Sequence, residues 1–133
     1  MKLDEIRITA KKIFSERDEI LIAYIYGSYL KGQYYNDIDI GIIIQDDFEP
    51  FTLYEPRISR YFDKYLHENI DVRILNHKPL RFLYNLLKNS KVLFSRDENK
   101  RIKFECKVVK EYLDIKPHHI MYNEMRRLRY ETG

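Results

Sequence analysis

Three aspartates and one Gly-Ser pair carry the chemistry available to this sequence. Asp37 and Asp39 stand two apart in NDIDIGIII, and Asp71 stands in IDVRIL. A carboxylate in an apolar strand is costly unless something positive sits on it. Residues two apart in a strand share a face, so Asp37 and Asp39 project together while Ile38 and Ile40 turn into the core. Asp71, between Ile70 and Val72, faces away from their side as well. If the two strands are neighbours, the three carboxylates meet on one patch. Like charges about 4 Å apart repel by several kcal/mol at an effective dielectric of about 20, so such a patch calls for cations. Oxygen ligands with no His or Cys beside them suit Mg²⁺, which takes one or two carboxylates together with substrate phosphates.

Gly27-Ser28 ends the apolar run ILIAYIY just ahead of this patch. Glycine lets the backbone approach a ligand closely, and free N–H groups at the start of a following helix favour anions. Ser28 adds a hydroxyl. Lys31, about one helical turn on, is placed to meet the same phosphates. The expected site holds a triphosphate at the turn and two metals on the aspartates, the arrangement for in-line displacement at phosphorus. Each feature has a plainer reading when taken alone. Gly-Ser is a common turn, Asp71 is a natural ion-pair partner for Arg73 on its own face, and Lys31 is a natural solvent-facing lysine. The conjunction, not any one residue, carries the expectation.

The elements that must position these residues alternate along the chain. Leu3, Ile6, Ala10 and Ile13 recur at helical spacing and predict a first helix ending near Arg17-Asp18. Strands are predicted at 19–26, 37–44, 70–75 and 91–94, where β-branched and apolar residues dominate. A short helix is expected after Ser28. Pro56 is expected to open a helix carrying Ile58, Tyr61, Phe62, Tyr65 and Leu66, and Pro79 another carrying Leu80, Leu83, Tyr84 and Leu87. From Arg96-Asp97 onward the pattern is helical. Ile102, Cys106, Val109 and Leu113 form one stripe and Phe104, Val108 and Tyr112 a second, which predicts a helix buried on two sides. Lys116-Pro117 breaks it before a last helix. The result is an α/β (α+β) chain, a small sheet of three or four strands backed by helices, in a single domain over 1–133. Residues 1–96 form its sheet and helices, and residues 97–133 a C-terminal helical part.

Bulk properties set limits. The 133 residues suffice for one core, and 44% hydrophobic with 34% charged residues is a globular composition. A net charge of +3 gives no bulk argument for nucleic-acid binding, and none is expected directly. Cys106, the single cysteine, excludes an internal disulfide, and among Phe104, Val108 and Val109 it reads as a buried thiol. The opening MKLDEIR has no signal-peptide pattern and no run is long enough to span a bilayer, so a cytoplasmic protein is expected. Arg126, Arg127 and Arg129 read equally as a docking face for an acidic partner or as a solvated face. His118 and His119, being adjacent, make a poor chelate.

At Gly27-Ser28, Gly32, Asp37-Ile38-Asp39 and Asp71 the chain resembles a minimal nucleotidyltransferase of the DNA polymerase β superfamily. More narrowly it is similar to the MNT-domain antitoxins of HEPN/MNT toxin–antitoxin pairs. The likeness extends through FECKVVKEYLDIKP and so covers nearly the whole chain. It implies a palm-like mixed sheet, ATP, Mg²⁺ and transfer of AMP to a tyrosine of a cognate HEPN-domain ribonuclease toxin. By the same likeness Gly27 and Ser28 hold the triphosphate, while Asp37, Asp39 and Asp71 carry the metals, with Asp71 helping to deprotonate the acceptor. The spacer 29–36 is shorter than usual for the family, which implies a tightly closed turn. The sheet and its helices consume the sequence, leaving the acceptor side open to a macromolecule. Two other readings stand beside this one: an antitoxin that blocks its toxin by binding alone, and an enzyme acting on a small molecule or an RNA end.

Overall fold

The structure, a computed structural model, describes residues 2–113. Helix α1 (Leu3–Phe14) leads into β1 (Ile20–Tyr26) and β2 (Ile38–Ile44), followed by α2 (Tyr54–Tyr61), β3 (Ile70–Ile74), α3 (Leu80–Lys88), β4 (Lys91–Ser95) and α4 (Glu98–Leu113). The strands form one four-stranded mixed sheet in the order β3-β2-β1-β4. β1 runs antiparallel to both β2 and β4, whereas β2 and β3 are parallel, joined by a crossover through α2.

Alternation along the strands feeds two cores. Ile38, Ile40 and Ile42 of β2, with Ala23, Ile25 and Leu93, pack against Ile6, Ala10 and Phe14 of α1 and Ile58 of α2. Ile22, Tyr24, Ile43 and Val92 face the other way, onto Leu83, Leu86 and Leu87 of α3 and Val108 of α4. A register shift between Ile20 and Ile22 in the β1–β2 ladder accompanies the placing of these two residues in different cores. The expected α/β architecture is therefore a four-stranded sheet with helices on both faces.

The edges of the sheet are closed by side chains, as exposed edges generally require. On β3, the amide of Val72 donates to Ser59 Oγ (2.9 Å) and that of Ile74 to Glu55 Oε2 (2.7 Å), both acceptors coming from α2. On β4, Arg7 of α1 donates to the Val92 carbonyl at 2.9 Å. Asn76 extends the β2–β3 ladder, accepting from Ile44 N–H (2.9 Å) and donating to its carbonyl (2.7 Å).

Three expectations need correction. No helix follows Ser28: residues 28–32 make one turn, closed by Lys31 N–H to Gly27 O (3.3 Å), Gly32 N–H to Tyr29 O (3.1 Å) and Gln33 N–H to Ser28 O (3.0 Å). Gly32, at φ +72°, ends that turn as a left-handed glycine ends a helix. α2 begins two residues before Pro56, which sits in the first turn where its missing N–H is no loss, and α2 yields to a 3₁₀ turn at Phe62–Lys64. On α4 both stripes hold near the sheet, with Ile102, Cys106 and Val108 buried and Phe104 packed against the α3 core, but each ends early: Tyr112 and Leu113 are exposed, while Arg101 and Glu105 are wholly buried. Cys106 is buried as expected. The predicted break at Lys116-Pro117, the last helix, His118, His119 and the three arginines lie outside the described residues.

Candidate active site

Strand register assembles the site. Tyr26 of β1 pairs with Asp39 of β2, and Asp39 pairs with Asp71 of β3, so one row across three strands carries a phenol and two carboxylates. Ile38, Ile40 and Val72 all enter the α1–α2 core, which leaves Asp39 and Asp71 on the opposite face. Asp37 precedes β2 and is exposed.

Asp39 feels the charge of both other acids. Burial pushes the Asp39 carboxyl above its ordinary value, and the charges of Asp71 and Asp37 push it further, with Arg73 pulling back. Tyr26 is driven up to about 12, first by burial and then by Asp39 and Asp71. Arg73 is the compensating cation: its Nε donates to both oxygens of Asp71 at 3.2 Å. The ion pair that the isolated Asp71 suggested is thus present, on the face of the sheet that carries the carboxylates. Hydrogen bonding to Asp71 raises Arg73 still further above its ordinary range.

Gly27 closes the site from the β1 side. Its φ is +85°, and a methyl group there would collide with the Asp39 carboxylate. Glycine is required on both counts. Ser28 is half-buried at the base of the turn, and Lys31 is exposed on it. On the β3 side lies an open cleft of about 590 Å³, lined by Asp37, Asp71, Arg73 and, from α2, Glu55, Ser59 and Arg60.

The donor set suits a hard divalent cation in its chemistry: Asp39 raised by burial and by the charges of Asp71 and Asp37, one neighbouring guanidinium and no nitrogen or sulfur ligand. Among the described residues, no group of three or more His, Cys, Asp or Glu is placed so that it could hold a metal ion as the side chains stand. A metal would need Asp71 to turn from Arg73.

Two participants escaped sequence reasoning. Tyr26 reads there as the end of an apolar strand, and only the β1–β2 register reveals it beside Asp39. Glu55, whose charge also acts on Tyr26, sits before a proline in a polar stretch and carries no recognisable spacing to the acids.

Comparison with known proteins bears on the family and the fold. Residues 9–99 match the family described as Polymerase beta, Nucleotidyltransferase. A toxin–antitoxin structure with AMP-PNP superposes at a TM-score of 0.63 with 19% identity, covering 98% of this chain and 100% of that one. A tri-AMPylated Shewanella oneidensis HEPN toxin in complex with MNT antitoxin gives 0.61 and 17% over 98% of both chains. The toxin–antitoxin MntA–HepT gives 0.61 and 15% over 100% of both. At these identities the likeness shows the fold. No curated protein matches the sequence.

Proposed function

The chain belongs to the polymerase beta nucleotidyltransferase family, and we propose on that premise that it is an antitoxin of the MNT type. In this reading it transfers AMP from ATP to a tyrosine of a cognate HEPN-domain toxin. The row Asp39–Asp71, with Asp37 at its edge and Gly27-Ser28 beside it, is the observation that carries the proposal.

Each residue has a role in that reaction. The backbone of Gly27 and the amide and hydroxyl of Ser28 hold the triphosphate, with Lys31 as a supplementary cation. Asp37, Asp39 and Asp71 would hold Mg²⁺, which when bound neutralises phosphate charge and orients the reacting phosphorus. The tyrosine oxygen forms a bond to the α-phosphorus while the bond from that phosphorus to the bridging oxygen of the β-phosphate breaks. Pyrophosphate departs with the electron pair. The phenolic proton passes to the Asp71 carboxylate, the acid on the strand nearest the open cleft.

The Asp71–Arg73 pair favours one second reading, an antitoxin that neutralises by binding alone, because a carboxylate held by arginine is satisfied without any cation. Co-expression with the toxin separates the two. The wild-type chain relieves growth arrest, and Asp39→Asn, which keeps the shape of the side chain, is expected to abolish that relief. Full relief by Asp39→Asn would overturn transfer in favour of occlusion.

A further inference from the structure

The cleft beside β3 has polar residues that neither the fold nor the transfer reaction uses. Of its lining groups, Ser59 and Glu55 are committed to the β3 edge and Asp71 to Arg73. Arg60 on α2 and Asn69 just before β3 also line it. Both are exposed, and neither side chain has a hydrogen bond or ion pair among the described residues. We propose that this α2–β3 cleft is the port through which a polypeptide segment delivers the acceptor hydroxyl, with Arg60 and Asn69 gripping that segment. The inference rests on the transfer reading and deepens it.

Direction is the first argument. In-line displacement requires the attacking oxygen to arrive opposite the departing pyrophosphate. The Gly27-Ser28 turn fixes the phosphates at the end of β1, on one side of the acid row. The acceptor must then come from the other side. In the order β3-β2-β1-β4 that side is β3, the edge strand, where the cleft opens next to Asp71.

Size and charge identify the occupant. About 590 Å³ lies within the roughly 300–1,000 Å³ of pockets that take a drug-sized ligand, room enough for a tyrosine side chain with its flanking backbone. Asp37, Glu55 and Asp71 set three carboxylates against the guanidiniums of Arg60 and Arg73, a lining without the run of unpaired cations that tracks a phosphodiester backbone. An amide side chain such as Asn69 suits peptide groups, which both donate and accept. Arg60, the cation without an intramolecular partner among the described residues, suits a carboxylate flanking the acceptor tyrosine.

The test uses the full chain, the HEPN-domain toxin proposed as its partner, and variants Arg60→Glu and Arg60→Lys. AMP transfer is followed against partner concentration, and ATP affinity is measured separately by calorimetry. Arg60→Glu should raise KM for the partner about tenfold, the size of one charge-assisted contact, with ATP affinity unchanged. Arg60→Lys should recover most of the loss. An unchanged KM in Arg60→Glu, or a loss confined to ATP affinity, would overturn the port and leave the transfer reading standing. Label appearing on RNA in place of protein would overturn the choice of occupant. No label with the wild-type chain would remove the transfer reading, and the port with it.

Discussion

A side chain at position 27 would have to share space with the carboxylate of Asp39, and its backbone would have to hold φ at +85°. Gly27→Ala is therefore expected to lose about 1–2 kcal/mol of stability from backbone strain, read by urea denaturation. The loss of AMP transfer should be far larger, on the order of a hundredfold, because the carboxylate is pushed from its place. Asp39 itself carries a cost. Its pKa lies above the ordinary value in the folded chain, so the folded state binds more protons than the unfolded one, and stability falls as pH rises through that interval. Asp39→Asn should thus raise the melting temperature of the Mg²⁺-free protein at pH 7. The gain should shrink as pH is lowered toward the ordinary carboxylate range. Equal melting temperatures at pH 7 would show that the Asp39 carboxylate carries no net penalty from burial or from its neighbours. At this scale the sequence was informative where parity applies: spacing by two placed Asp39 on one face, and Ile70 and Val72 placed Asp71. Tyr26 was not legible, since its meeting with Asp39 depends on which strand lies beside which.

Helix α4 is fastened to the sheet by charge as well as by apolar contact. Tyr24 of β1 donates to Glu105 Oε2 at 2.8 Å, and Arg101 donates to the same oxygen at 2.9 Å and to both oxygens of Glu98 at 2.9 and 3.0 Å. Arg101 and Glu105 are both fully buried. Arg101→Leu strands a carboxylate in the interior and is expected to cost about 3–5 kcal/mol, measured by chemical denaturation. A cost under about 1 kcal/mol would mean that water reaches Glu105. Counting apolar stripes could not find this network, because that method sends charged residues outward. A different signal was present: Glu98, Arg101 and Glu105 fall at helical i, i+3 and i+4 spacings with alternating sign. The turn after Ser28 was misjudged for a related reason. Gly32 sits within the Gly-Ser to Asp-x-Asp motif, and its second role, the left-handed stop that ends helical geometry after one turn, has no signature of its own in the sequence. The start of α2 depends on Leu53, a non-glycine residue at φ 73°, which no propensity anticipates.

For the whole molecule, strand order is the decisive fact. With β2 and β1 central, the acid row lies between a glycine turn on one side and an open edge cleft on the other. Among the described residues the helices cover both sheet faces, and α2 alone stands beyond β3. No helix among the described residues is long and apolar enough to cross a membrane. The four-stranded sheet and its alternating helices were legible from the rhythm of apolar runs. The antiparallel setting of β1 against β2 and β4 was not, because pairing partners are chosen by long-range packing. The central claim is that this arrangement moves AMP from ATP onto a partner protein. The most direct measurement is the intact mass of the proposed HEPN-domain partner after incubation with the chain, ATP and Mg²⁺. We expect the partner to gain whole AMP units on tyrosine, with no gain when Asp39→Asn replaces the wild-type chain. A partner whose mass stays unchanged while its toxicity is still neutralised would contradict the account.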